Sequence, residues 1–486
     1  MTSVRRALAL SLLERYLLIV ISLLSNILLA RLLTPEEIGL YSVSLAVIGI
    51  AQVLRDFGVG NFLIQEKNLT EAHIRTAFGF TLFIGICFFF ALFFAAPSVA
   101  QFYRNDQIVQ TMHISTLNFL VLPFCIVSLS LLRREMAFKH LMIVSLIAAL
   151  VGFCTTISLA YADFGPNSMA IGSVAANIAI AISAWLARAN RRLLLPGFSE
   201  WRKLLNFGGQ NTLASVVTTV AMDINDLAIG KILGLTSVAM YSRAQGLMNL
   251  FHRDTMAAIR GVAFPSFAKA HRDGEPLESR YITSVTLVTV IAWPFYGFAA
   301  LYALELLRLL FGPQWDEAAG LVPLFCLAGA SLATSNLIMS AVMAVGRIDL
   351  VTLSELLFQP LRAGVIVAVA LIFNSLFACV VAFMILYWIY TPFAYAIKAR
   401  CIPNDYQSLL SNLWLSAKVT FLALIPPAAF SINAGFNRDV PVTFPILISA
   451  ALLCGLFWLA GLLIFKHPVT ADPLFKRVIQ KITRFR

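Results

Sequence analysis

Charge is what this sequence has least of. Only 12% of its 486 residues are Asp, Glu, Lys or Arg, against roughly 25% in an ordinary soluble chain. Hydrophobic residues make up 60%, and the mean hydropathy is +0.85. So few charges cannot clothe a soluble core of this size, so lipid must be the solvent for most of the surface. Paired cysteines are missing as well. Cys87, Cys125, Cys154, Cys326, Cys379, Cys401 and Cys454 stand apart, nearly all within apolar runs. That excludes a disulfide framework and offers no metal site. No HExxH, GxSxG, Walker A or GxGxxG pattern occurs, so nothing points to an enzyme, a cofactor or a metal. The histidines show no ligand spacing. His73, His140, His271 and His467 flank loops expected on the cytoplasmic side, where charge is cheap. The sequon Asn68–Leu69–Thr70 falls in such a loop and reads as chance.

What the chain does have is length in apolar runs. A membrane span needs roughly 20 apolar residues. Cutting at polar and Pro/Gly-rich breaks gives spans near 10–32, 38–58, 76–100, 108–131, 141–162 and 168–188. A second group follows near 207–230, 237–259, 281–303, 317–343, 350–372, 376–397, 408–431 and 442–465. The first run follows Arg5 and Arg6 as a signal peptide would, but it has no small-residue cleavage site and reads as an uncleaved span. The expected fold is therefore an all-α integral membrane protein of about fourteen helices.

Lys and Arg in the short loops set the orientation. With the N-terminus inside, the loops assigned outside hold only Arg31, Arg104, Lys231, Arg308 and Arg438 of the 36 basic residues. Both termini are then cytoplasmic. The net charge of +12 is spread over alternate loops and not gathered on one face, which argues against nucleic acid and for anionic membrane lipid as partner. After Pro468, Leu474, Phe475, Val478, Ile482 and Phe485 alternate with Lys476, Arg477, Lys481, Arg484 and Arg486 as in a basic amphipathic helix on the membrane surface.

A repeat appears at an offset of 200 residues. Ala30–Ser42 reads ARLLTPEEIGLYS and Gly230–Ser242 reads GKILGLTSVAMYS, matching Arg31 to Lys231, Leu33 to Leu233, Tyr41 to Tyr241 and Ser42 to Ser242. An even number of spans separates them, so the blocks share an orientation. Parallel repeats are a transporter architecture with the substrate path between the halves. The expected division is an N-lobe over 1–190, an amphipathic linker over 191–206, a C-lobe over 207–400, two further spans over 401–466 and the basic tail over 467–486. The linker reads as a hinge, with a break at Pro196–Gly197, a cap at Ser199, and Trp201, Leu204 and Leu205 turned to the bilayer.

These same residues carry a family resemblance. Residues 30–78, ARLLTPEEIGLYSVSLAVIGIAQVLRDFGVGNFLIQEKNLTEAHIRTAF, resemble the signature of the polysaccharide transporter family, the Wzx-type lipid-linked oligosaccharide flippases of the MOP superfamily. FPSFAKAHRDGEPL at 264–277, ELLRLLFGPQWDEAAGLVPLFCLAGA at 305–330 and AVGRIDL at 344–350 agree with it. The resemblance covers most of the first twelve spans. It implies two six-helix lobes plus two helices, as in MATE-like proteins, and alternating access. It also implies passage of undecaprenyl-pyrophosphate-linked glycans across the inner membrane for lipopolysaccharide or exopolysaccharide synthesis. Other polysaccharide-assembly proteins are possible partners. The alternatives within the superfamily are a lipid II flippase and a multidrug or ion antiporter. A membrane polymerase or ligase is disfavoured, because the longest loop assigned outside is Ala303–Asp316, about a dozen residues.

An ionisable side chain near mid-bilayer costs roughly 2.5–3.5 kcal/mol on insertion scales, so it marks a cavity or a partner. Glu355, Gln359 and Arg362 fall at i, i+4 and i+7 beside Pro360. Ser242, Gln245, Asn249 and His252 form a polar stripe flanked by Arg243 and Arg253. Thr219, Asp223 and Asp226 share a face, with Asn225 beside it. Lys418 lies near the middle of its span, and Glu14, Arg15 and Asn26 share the first. In the functional reading a water-filled cavity lies between the lobes. Arg362, Arg243 and Arg15 hold the pyrophosphate by forked donors, Gln359, Gln245, Asn249 and Lys418 line the substrate path, and Asp223, Asp226 or Glu355 couples transport to an ion. In the competing reading these groups only join helices. For Arg15, Arg55, Asp56, Arg253 and Asp254, near helix ends, snorkelling or local pairing is the favoured reading.

Overall fold

The computed structural model describes the chain outside residues 1, 57–58, 67, 136, 189–194, 202–203, 205–222, 434, 436–440 and 472–486. For 2–16, 53–54, 56, 61, 65 and 471 it describes the backbone alone. The expected seventh span up to 222, the amphipathic tail after 471, Thr219, Leu205 and the side chains of Glu14, Arg15 and Asp56 therefore lie outside the described residues. No strand occurs among the described residues, and ten helices are long and apolar enough to cross a membrane, with Leu17–Leu32 a shorter apolar helix. The chain forms two compact units, Met1–Ala239 and Met240–Arg486.

In unit 1, α1 (Thr2–Leu32) and α2 (Pro35–Asp56) are followed by α3 (Val59–Gln65) and α4 (Glu71–Tyr103). Next come α5 (Gln107–Thr116), α6 (Asn118–Arg134), α7 (Phe138–Tyr161), α8 (Asn167–Ala187) and α9 over 223–232. The polar residues between spans terminate helices. Thr34 caps α2: its amide and its hydroxyl both donate to the Glu37 carboxylate, at 2.8 and 2.9 Å. Thr70 of the apparent sequon is the N-cap of α4, where it forms a capping box with His73. At the far end of α4, Arg104 adopts the left-handed conformation that lets its amide reach back to Ala100 and Gln101.

The offset of 200 is visible in the backbone. The helix breaks at 33–34 and again at 233–234, and α10 (Leu235–Asn249) begins 200 residues after α2. The two breaks use different chemistry, a capping box at Thr34 and a glycine at φ +93° at Gly234. They also touch, because α2 approaches the Leu235 carbonyl so closely at Gly39 that no Cβ would fit.

The described part of the expected linker is docked on α4. Gly197 donates its amide to the Arg75 carbonyl at 2.9 Å and lies against Gly79 with backbone on backbone. Glu200 donates to Thr76 Oγ1 at 3.3 Å. Leu204, expected to face lipid, is 1% exposed in a core with Phe62, Leu63, Phe78 and Val127, while Trp201 stays exposed. An apolar side chain does not declare whether lipid or protein will cover it.

Unit 2 takes α10 through a π-helical turn, Leu250–Thr255, into α11 (Met256–Arg272), then α12 (Leu277–Leu301), α13 (Ala303–Leu310) and a 3-10 segment, Pro313–Leu321. It continues with α14 (Val322–Ser335), α15 (Ile338–Ala344), α16 (Ile348–Phe373), α17 (Leu376–Ala399), α18 (Tyr406–Asn433) and α19 (Phe444–Ile464). The stretch expected to be an outside loop is thus mostly helical, closed by a bidentate pair from Arg308 Nε to Asp316 Oδ1 at 2.7 Å and Nη2 to Oδ2. α12 is the hub, against α14 and α18, and α17 packs on α14 and α16. His467, expected at a solvated loop, is fully buried. Its Nδ1 accepts from the Val469 amide, so Nε2 donates to Ser416 on α18 at 3.2 Å. Burial pushes its pKa down to about 4 and keeps it neutral. His73 is buried too.

Candidate functional site

The i, i+4, i+7 face on α16 forms as the spacing predicts. Gln359 Nε2 donates to Glu355 Oε2 at 2.8 Å, and one turn on Arg362, 6% exposed, donates from Nη1 to the Tyr387 hydroxyl at 2.8 Å. Tyr387 is on α17. Its ring lies 5.4 Å from that of Phe358 and 4.6 Å from that of Phe383, and Phe358 lies 4.3 Å from Tyr390. The guanidinium thus donates to a phenol within an aromatic wall. The Gln359 carbonyl oxygen is buried with no hydrogen-bond donor among the described residues, so the cluster keeps an acceptor in reserve.

Tyr387 heads a polar stripe along α17 that sequence inspection missed, although its period was available. Thr391, Tyr395 and Lys398 follow at i+4, i+8 and i+11. Thr391 meets Ser331 at 2.8 Å, and Tyr395 donates to the Thr334 carbonyl at 2.8 Å and contacts the Tyr281 hydroxyl at 3.1 Å. Lys398, fully buried, pairs with Glu278 and lies 4.6 Å over the Tyr281 ring. Glu278 also accepts from the Asp405 amide at 3.0 Å. This end of the stripe ties α12, α17 and the start of α18 together.

The other candidates are dispersed. Arg243 lies over rings of the α13 region, 5.1 Å from Phe311 and 5.0 Å from Trp315, whose faces attract the cation. Gln245 and Asn249 are half-buried on α10. Lys418 lies over Trp414 at 5.7 Å and Phe465 at 6.0 Å, within the α18–α19 pair and not with Arg362. Asp223 opens α9, and its Oδ2 lies 2.9 Å from where a Cβ on Gly49 of α2 would stand; Asp226, one turn on, is half-buried. Arg15 has no described side chain. Asn26 bonds locally to the Ser22 carbonyl at 2.9 Å. Arg253 and Asp254 pair on the surface at 2.9 Å, as expected, but Arg55 does not snorkel: it is 3% exposed, 5.8 Å over Phe119.

With this geometry in view, comparison with known proteins is informative. The lipopolysaccharide biosynthesis protein WzxC of Escherichia coli is 24% identical over 426 residues, covering 86% of this chain and 85% of the relative. The teichuronic acid biosynthesis protein TuaB of Bacillus subtilis is 22% identical over 483 residues, 94% of each. Among solved structures, the lipid II flippase MurJ in an inward closed conformation matches with a TM-score of 0.72 at 11% identity, covering 94% of this chain and 98% of that one. An inward-facing multidrug transporter of the MATE family, in the MOP superfamily, matches at 0.61 and 14% identity, covering 78% and 93%. At these identities the structures speak for the fold alone, and the fold is that of MOP-superfamily transporters. A family model described as "Polysaccharide biosynthesis protein" matches residues 28–320, more than half of the chain, and the chain belongs to that family of multi-pass membrane proteins.

Proposed function

We propose that this chain flips lipid-linked oligosaccharide units across the inner membrane by alternating access, supplying surface or exopolysaccharide synthesis, with an undecaprenyl pyrophosphate carrier and both termini cytoplasmic. The observation that carries this reading is Arg362. A guanidinium midway along a membrane-length helix is costly, yet here it is held by Tyr387 beside Glu355 and Gln359. Packing does not need that arrangement; recognition of an anionic, hydroxyl-rich headgroup does. The chain's role is translocation and involves no covalent step. Residues 1–190 and 207–400 are its two lobes, the anionic leaflet anchors the basic tail, and the assembly proteins of the same polysaccharide are its partners. Asp223 and Asp226 are the ion-coupling pair. Both Asp223→Asn and Asp226→Asn should lose transport driven by an ion gradient; unchanged gradient-dependent transport in both would remove α9 from coupling.

The decisive experiment is depletion in living cells. Lipid-linked oligosaccharide should accumulate on the cytoplasmic leaflet while surface polysaccharide disappears and peptidoglycan synthesis continues. Arrest of peptidoglycan with normal surface polysaccharide would replace this reading by that of a lipid II flippase.

A further inference from the structure

Helix regularity fails twice in unit 2, and the two failures touch. α10 gives way to the π turn at Leu250–Thr255, where Thr255 donates its hydroxyl to the Leu250 carbonyl five residues back at 2.9 Å. α14 ends at Ser335 and α15 starts at Ile338. Asn336, in that gap, reaches the π turn. Its carboxamide oxygen accepts from Arg260 on α11, and its nitrogen donates to His252 Nδ1 at 3.1 Å.

Only one assignment of hydrogens satisfies the three groups. A guanidinium donates and never accepts, so Arg260 takes the carboxamide oxygen and leaves the NH2 for His252. The imidazole must then accept at Nδ1 and carry its proton at Nε2. A second ring proton would set donor against donor. The contact is a directional clasp, and it spans both breaks.

What lies beyond the clasp is thinly covered. On α11, Val262 is 74% exposed, Phe264 is also exposed, and Gly261 faces open space. Its buried side chains, Met256, Ala263, Phe267 and Ala270, leave it packed mainly on α15, with a lighter contact to α12. Helix kinks form at π turns, π turns gather at functional sites, and hinges are built from a few residues at element ends. We propose that His252, Asn336 and Arg260 form a hinge about which α11 and α15 turn as one body against α10 and α14, opening and closing one face of unit 2. The proposal concerns motion of the chain itself and stands or falls apart from the identity of the cargo.

The test uses the full-length chain with its native cysteines replaced, reconstituted in nanodiscs and spin-labelled at Val262 on α11 and Leu410 on α18. A control pair is placed at Leu410 and Leu452, on α18 and α19. Asn336→Leu and His252→Ala should each shift or broaden the 262–410 distance distribution by several ångström and leave the 410–452 distribution unchanged. An unchanged 262–410 distribution in both variants overturns the hinge. So does equal movement of the control pair, since the clasp would then be general packing. Either result would leave the depletion experiment above untouched.

Discussion

Both units bury polar side chains in membrane-length helices, but with different chemistry. In unit 1, apart from Asp223 and Asp226 on α9, the groups joining α5, α6 and α8 are neutral and close on one another. Asn177 donates to Asn118 at 2.7 Å, Asn118 to Ser173 at 3.3 Å, and Thr111 to Asn167 at 2.9 Å, joining α5 and α6 to α8. Among the described residues of unit 1, the buried Arg55 and Arg188 stand at the ends of α2 and α8. Unit 2 instead places Arg362 midway along α16, and its buried Lys398–Glu278 pair joins the last turn of α17 to the first turn of α12. Neutral hydrogen bonds of the first kind contribute about 0.6 kcal/mol each on average and serve as glue. A charge midway along a span costs more than helix adhesion returns, so Arg362 calls for a role beyond adhesion.

Substitutions at Arg362, at the Glu278–Lys398 pair and at Asn177 can break or sharpen that contrast. Arg362→Ala should abolish export while the protein remains inserted, read as surface polysaccharide against membrane protein level, and Arg362→Lys should restore only part, since an ammonium lacks the fork. Wild-type export in the alanine variant would remove Arg362 from the site. Glu278→Gln should lower stability by roughly 3–5 kcal/mol by leaving Lys398 buried without its counter-charge. The double change Glu278→Leu with Lys398→Met should be near neutral; thermal unfolding in detergent reads both. Asn177→Leu in unit 1 should cost about 1 kcal/mol and leave export intact. Lost export at full stability there would mean that the α5–α6–α8 cluster is part of a polar site and not only glue.

Much of this was legible in advance, for reasons that differ by feature. Ten of the expected spans fall on described helices long and apolar enough to cross a membrane, because such an apolar run has no other backbone solution in lipid. The break at 33–34 and its copy at 233–234 were readable because turn residues act locally. So was the shared face of Glu355, Gln359 and Arg362, which helical period alone dictates. The misses have two causes. Leu204 was placed toward lipid and is in the core; His467 was placed toward water and is buried; the Ala303–Asp316 loop is mostly helix. For Leu204 and His467 local character was right and the covering neighbour was not knowable; for Ala303–Asp316 the local structure itself was misread.

The sequence by itself determined that this chain lives in a bilayer, where its helices start and stop, and which faces of them are polar. Those properties depend on composition and on neighbours within a few residues. Only the tertiary structure decided that Arg362 meets Tyr387, that Arg243 lies over Phe311 and Trp315, and that Asn336 joins two helix breaks. Lipid and helix neighbours are equally apolar, so hydropathy cannot say which face meets which. The pairing of one helix with another is settled by shape and by the few polar groups that must find each other.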